Sequence, residues 1–513
     1  MSKLKLADAF FLLNESRRTP MHVAGLSLFT YPDGVDEREY IQELKELLHY
    51  DTHIRPPYNQ VLKMGPLGAA GPVSLVKDKS FDIDYHILVS ALPRPGRYRE
   101  LFELVSRLHS TLLDRARPLW EFHIIEGLQN RQFATYFKVH HCVVDGVAAI
   151  HFMNSMLSED PRQRLKISPF SMETHNEYRE KMRLSRIKPN KPSDADFMGM
   201  TERLKKQFTN KSSLVKALGR HAMAFLAPTA LSVPWAKIPE TPANRTIEGA
   251  RRFVAQSWSF KRVRAMSKAH GGTLNDGVLA MCGGATRRYL LERGILPKEP
   301  LKALVPVSVR EEGDLDSGNA IAFIVSSLAT DLADAGDRMQ AIRESMAASK
   351  DNLSGMSKSE IDFYSTLTQA PVLAFNLLGL AGKLPMANTV VSNVPGPREQ
   401  MYWHGAKLDG IYPVSVPLDG VAVNFTLVSN YDSLDFGITA CRRSAPNIQR
   451  LIDYMDDALI ELEVAAGIEP QPSKVKVAPN KAKKTRKKVT KKKVTKKKAA
   501  KKKVAKKVTV RKS

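Results

Sequence analysis

Apolar and polar positions along the first part of the chain alternate in short strand-like runs separated by helical ones. HVAGLSLFTY (22–31) and RQFATYFKVHH (131–141) carry the β-branched and aromatic residues that suit a pleated surface, whereas DEREYIQELKELLH (36–49) repeats its apolar residues at helical spacing. GVAAIHFMNSML (146–157) also reads as a helix, so His140, His141, Asp145 and Gly146 fall at a strand-to-helix turn. Between about Ser158 and Asn244 the texture becomes basic and marked by proline, as in RIKPNKPSDADF and LSVPWAKIPETPANR. The mixed pattern then resumes. RRFVAQSWSF, LKALVPVSVR, AIAFIVSSLAT, MANTVVSNVPGP and VAVNFTLVSN are strand candidates, and TLNDGVLAMCGGATRRYLLERG is a helix. Such alternation predicts a mixed α/β fold, and no internal repeat of fixed period is visible.

A chain of 513 residues exceeds one ordinary core and predicts two domains of conventional size plus extras. The expected division is residues 1–158, a basic connecting segment with helices at 159–244, a second domain at 245–468 and a tail at 469–513. Charge sharpens the last boundary. The chain carries a net +25, but 21 Lys and Arg with no Asp or Glu lie from Lys474 to Ser513, leaving the preceding 473 residues at +4. That tail has no aromatic residue and buries too little to fold alone, so a disordered polycationic arm is expected. It is either a solubilising appendage or a contact for polyanions such as DNA or anionic lipid. Cys142, Cys282 and Cys441 are far apart and match neither a zinc site nor a disulfide framework, which fits a reducing cytoplasm. The first residues show no apolar signal region, and no apolar run reaches the roughly 18 residues of a membrane span.

Three chemistries compete at the turn. A histidine and Asp145 supply two metal ligands, but no further His or carboxylate stands at a spacing that completes a set. A buried core histidine is the ordinary alternative. The third is a general base, a neutral imidazole that takes a proton from a nucleophile while a carboxylate orders its surroundings. Strand alternation lets only one of His140 and His141 face a given cleft, and turns Cys142 away from the face of His141.

HHCVVDG has the HHxxxDG form of the coenzyme-A-dependent acyltransferase superfamily, and the chain resembles bacterial wax ester synthase/diacylglycerol acyltransferases. MHVAGLSLF, RPLWEFHIIEGL (117–128), TLNDGVLA (273–280), VPVSVR (305–310), GNAIAF (318–323), VSNVPGP (391–397) and SNYDSLDFGI (429–438) look like family blocks in family order. The resemblance spans roughly residues 4 to 465 and leaves out the lysine tail. It implies two chloramphenicol-acetyltransferase-like domains with a tunnel at their interface, fatty acyl-CoA entering from one side and a long-chain alcohol or diacylglycerol from the other. By the same resemblance His141 is the base and Asp145 an orienter paired with Arg310, with Gly146 closing the motif; His140, on the opposite face, is then the buried or supporting histidine. No bound cofactor or metal is implied. Other branches of the superfamily acylate an amine or a short alcohol, and a degenerate acyltransferase scaffold tethered by its tail is a further alternative.

An activated thioester needs a proton acceptor near the attacking oxygen, donors for the tetrahedral oxyanion and exclusion of water. No GxSxG elbow is present, so direct attack is expected in place of an acyl-enzyme. Asn275 and Asp276 either cap a helix or touch substrate, Trp120 is core or tunnel wall, and Asn319 and Asn393 complete the tunnel candidates, Asn393 as an oxyanion donor. LVKALGRHAMAFLAPTALSVPW (214–235) and PVLAFNLLGLAGKLP (371–385) are either buried helices or segments that dip into lipid. A cytoplasmic enzyme, peripheral at the inner membrane or at lipid droplets, is the expected setting.

Overall fold

The computed structural model describes residues 2–4, 6–49, 54–66, 68–144, 146–187, 213–226, 231–308, 321–353 and 385–470, with scattered positions between 356 and 383. The first part of the chain runs β1 (Ser2–Lys3), α1 (Leu6–Asn14), β2 (His22–Thr30), α2 (Glu37–His49), β3 (Gln60–Gly65), β4 (Gly68–Lys77), α3 (Ile83–His86), β5 (Ile87–Ala91), α4 (Tyr98–Leu108), β6 (Trp120–Leu128), β7 (Gln132–His140), α5 (Gly146–Met156) and α6 (Met172–Ile187). After α7 (Ser213–Leu226) come β8 (Arg251–Ser259), α8 (Phe260–Ala269), α9 (Leu274–Leu291), β9 (Lys302–Ser308), β10 (Ile321–Ser327), α10 (Ala335–Leu353), β11 (Thr389–Val394), β12 (Tyr402–Trp403), β13 (Ala406–Val414), β14 (Val423–Asn430), β15 (Ser433–Cys441) and α11 (Arg450–Ala465).

Local chemistry accounts for these elements. In α2, Tyr40, Ile41, Leu44 and Leu48 form one buried stripe, and Asp36 accepts the backbone amides of Arg38 and Glu39 at 2.9 and 3.0 Å, closing the helix start. In α9, Thr273 and Asp276 form a reciprocal capping box.

Two six-stranded mixed sheets carry the fold. One has the order β12-β13-β2-β7-β6-β5, the other β10-β9-β11-β14-β15-β8, and β1-β4-β3 make a small third sheet. β7 and β15 are inner strands buried at every residue, so the polar side chains they carry, among them Lys138 and His140 on β7 and Asp435 and Thr439 on β15, are sealed with them. One core, with Phe29, Trp120, Phe122, Phe137 and Phe170, lies against the first sheet; a larger one, with Val278, Ile342, Phe425 and Met455, fills the second half.

The sheets are not built from two successive stretches of chain. β13 lies within residues 245–468, yet it pairs with β2 of the first sheet, Tyr412 opposite Leu26 and Val414 opposite Ala24. It also packs on β14 and β15 of the second sheet, and a Cβ added at Gly437 of β15 would overlap the Pro413 carbonyl oxygen, so only glycine admits this approach. A core shared by both halves, including Leu26, Leu28 and Tyr136 with Phe253, Ala255 and Tyr412, seals the junction. Ser106 of α4 and Ser110 just beyond it add hydrogen bonds across the junction: Ser106 Oγ accepts the Phe253 amide and Ser110 Oγ the Arg251 amide, both at 2.9 Å. Residues 1–477 form one compact unit, and a second unit, 478–513, lies outside the described residues, as do residues 188–212 of the connecting segment and most of the apolar stretch 371–385. Among the described residues no helix is long and apolar enough to cross a membrane.

Candidate active site

β7 ends at His140, and His141 to Val144 turn into α5, whose first residue is Gly146. The separation of the two histidines therefore comes from the turn and not from continued strand alternation: the Val143 amide donates to the His140 carbonyl at 2.9 Å. His140 is fully buried. Its Nδ1 accepts the Cys142 amide at 3.1 Å, and its Nε2 lies 3.2 Å from Glu15 Oε1. His141 is half-buried, its amide donates to the Met21 carbonyl at 2.9 Å, and its ring stacks on Phe11 of α1 with centroids 3.9 Å apart.

The other histidines on this side of the sheet are committed elsewhere. His22 pairs with His140 across β2 and β7, and its Nε2–H donates to the His109 carbonyl at 2.9 Å; burial holds it well below the ordinary histidine value. His109 donates from Nε2 to the Ser415 carbonyl and accepts the Tyr136 hydroxyl at Nδ1, both at 3.0 Å, and burial pushes it down to about 3. Lys138, also sealed, donates to the Thr111 carbonyl at 2.8 Å and stands 3.4 Å from Glu121, burial pushing its ammonium down. Cys142 packs among Leu12, Val73, Leu113 and Leu119, and burial drives its thiol far above the range where a thiolate forms.

Of the remaining sequence candidates, Asp145, Arg310 and Asn319 lie outside the described residues. Trp120 is 1% exposed, stacks on His86 and Phe170 and donates its indole N–H to the Tyr58 carbonyl at 2.8 Å. Asp276 Oδ2 accepts both the amide and the hydroxyl of Thr273 at 2.8 Å. Asn275 and Asn393 are brought together, the Asn393 amide donating to Asn275 Oδ1 at 3.3 Å, so α9 and β11 present neighbouring carboxamides. Glu15, Arg115, Met21 and Phe11 were missed by sequence reasoning. Glu15 is 100 residues from Arg115 along the chain, and no local periodicity reports such a pair.

This two-sheet mixed α/β body, with a partly exposed histidine at a strand-to-helix turn, is that of an acyltransferase. Residues 4–278 match the wax ester synthase/diacylglycerol acyltransferase catalytic domain, and residues 317–463 match the corresponding C-terminal domain. The chain belongs to the wax ester synthase/diacylglycerol acyltransferase family. It is 41% identical over 464 residues to a Mycobacterium tuberculosis protein named "Probable diacyglycerol O-acyltransferase tgs2", covering 90% of this chain and 98% of that one. It is 36% identical over 479 residues to O-acyltransferase WSD of Acinetobacter baylyi, covering 93% and 100%. The solved wax ester synthase/diacylglycerol acyltransferase from Marinobacter aquaeolei VT8 superposes with a TM-score of 0.70 at 38% identity, over 91% of this chain and all of that one. The first condensation domain of the CDA synthetase shares the fold alone, with a TM-score of 0.53 at 13% identity over 92% and 97% of the two chains.

Proposed function

We propose that this protein transfers a fatty acyl group from acyl-CoA to the hydroxyl of a long-chain alcohol or a diacylglycerol, with His141 as general base. The observation that carries the reading is a contrast among neighbouring histidines: His22, His109 and His140 are sealed, whereas His141 at the turn remains partly exposed. His141 takes the hydroxyl proton as the oxygen attacks the thioester carbon. The tetrahedral intermediate then collapses, expelling the CoA thiolate, which recovers that proton from the imidazolium; the products are an ester and CoA. Asn393, hydrogen-bonded to Asn275, is the proposed oxyanion donor. The sealed Cys142 supports direct attack over an acyl-enzyme.

Purified protein given palmitoyl-CoA with hexadecanol or diolein should form ester, and His141→Ala should lose about 10² to 10⁴ in turnover. Near-normal turnover of that variant would refute the assignment.

We further infer a cytoplasmic enzyme held peripherally at the inner membrane or at lipid droplets. Met223, Phe363 and Leu367 are 60%, 55% and 48% exposed, and apolar side chains so displayed support contact with lipid. The lysine tail is read as an added contact for anionic lipid or DNA, tested by comparing intact and truncated chains.

A further inference from the structure

The Glu15 side chain takes no part in the chemistry proposed above, yet it is 2% exposed and both its oxygens are engaged around the turn that carries His141. Oε1 accepts the Met21 amide at 3.2 Å and faces His140 Nε2. Oε2 accepts Nε and Nη2 of Arg115 at 3.0 and 2.9 Å. We propose that Glu15 is a positioning residue for His141, acting through His140 and Met21; the proposal rests on His141 being the base.

Hydrogen bonding sets the direction of this influence. Nδ1 of His140 accepts the Cys142 amide, so it carries no proton, and the ring proton sits on Nε2, which lies 3.2 Å from Glu15 Oε1 in a close contact without hydrogen-bond alignment. The carboxylate thereby fixes the tautomer, and the tautomer holds the amide immediately after His141. On the other flank the same oxygen holds the Met21 amide, and the Met21 carbonyl accepts the amide of His141 itself. One carboxylate thus steadies the backbone of the base from two sides. Arg115 fixes the carboxylate in turn and reaches the Leu12 carbonyl at 3.1 Å, tying the group to α1, whose Phe11 stacks on the His141 ring. Burial by itself would push the Glu15 carboxyl up, but His140, Arg115 and the Met21 amide hold it below the usual carboxylate range, so it stays charged at neutral pH.

Glu15→Gln tests this. A carboxamide has one oxygen, so whichever way it turns, its NH2 meets donors, either Arg115 or the pair His140 and Met21. His140 then relaxes by moving its proton to Nδ1, which releases the Cys142 amide. With palmitoyl-CoA and hexadecanol, kcat should fall by about 10- to 100-fold while KM for palmitoyl-CoA stays put, because displacement of a base by about 1 Å costs rate and not binding. The pH profile of kcat should move with it, a response that a purely structural ion pair would not give. Glu15→Gln and His140→Ala should be less than additive, since they act along one route. A folded Glu15→Gln protein with wild-type kcat and pH profile, or fully additive losses, overturns the proposal. Should Glu15→Gln fail to fold, Arg115→Lys, which keeps the charge and loses the fork, is read the same way: a lower kcat at constant KM supports the proposal, and an unchanged kcat overturns it. Retained turnover in His141→Ala would instead defeat the base assignment, whereas loss in His141→Ala beside an unaltered Glu15→Gln defeats positioning alone.

Discussion

Asp435 offers a quantitative test of how the two sheets are joined. It lies on β15, fully buried, and accepts four hydrogen bonds: Ser257 at 2.6 Å and Ser433 at 2.8 Å on Oδ1, the Ile411 amide at 2.8 Å and Asn430 Nδ2 at 3.0 Å on Oδ2. Ile411 belongs to β13 of the first sheet and Ser257 to β8 of the second, so one carboxylate spans the junction. In Asp435→Ala the serines keep partners, Ser257 with the Tyr412 hydroxyl and Ser433 with the Asn430 carbonyl. The Ile411 amide and the Asn430 carboxamide do not. Two buried unpaired donors cost about 1 to 3 kcal/mol each, so a loss of about 2 to 6 kcal/mol is expected. Asp435→Asn should lose less, because its carboxamide can keep its oxygen on the Ile411 amide and Asn430 and turn its NH2 to the two serine hydroxyls, which accept it while bonding to the Tyr412 hydroxyl and the Asn430 carbonyl.

The pH dependence has a fixed sign. Burial pushes the Asp435 carboxyl up, and the hydrogen bonds from Ser257, Ile411, Ser433 and Asn430 draw it back only in part. A carboxyl whose folded value is raised contributes fully below the unfolded value of about 3.9 and loses that contribution as pH rises through the folded value. The gap between wild type and Asp435→Asn should therefore be widest in acid and narrow upward. Urea denaturation of wild type and both variants across pH measures it. A loss below about 1 kcal/mol in Asp435→Ala, or a gap that widens with pH, would refute the reasoning.

Cys142→Ala should leave turnover essentially intact and cost about 1 kcal/mol of stability, since it removes a buried sulfur but keeps the amide that binds His140; a large loss of turnover would restore the acyl-enzyme route. Truncation at about Gln471 should leave turnover on dispersed substrate unchanged and weaken binding to anionic vesicles and to DNA, steeply with salt for the intact chain. Equal binding by both forms in filter-binding and flotation assays would reduce the tail to a passive appendage.

Strand-forming segments were legible because alternation and β-branched content are local. The runs at 22–31, 131–141 and the one beginning at Arg251 became β2, β7 and β8, and the glycine-started helix after the histidines became α5. Partnership was not legible. AKLDGIYPV, now β13, was not among the strand candidates, and nothing within it says that it pairs with β2 of the first sheet. The β3–β4 hairpin also escaped, since Gly68, Gly71 and Pro72 interrupt its pattern. At the site, the residues that announce themselves by motif are the two histidines, whereas those that hold them are a buried carboxylate and a partly exposed guanidinium that only the fold brings together.

That distribution explains why a boundary drawn near residue 245 cannot separate the chemistry from the rest. The loop from Glu15 to Met21 carries both anchors of the His141 backbone, and it is pinned by the second half: Arg251 Nη2 donates to the Arg18 carbonyl at 2.9 Å. Gly249 packs so closely that a Cβ there would overlap the Arg17 carbonyl oxygen. Arg251 is itself buried and begins β8, whose partner β15 abuts β13, and β13 in turn pairs with β2, which starts one residue after Met21. The chain of contacts closes on itself. An acyltransferase that must hold a base beside a thioester and keep water out gains from such closure, because a shift of either sheet is resisted at the Glu15 loop as well as in the shared core.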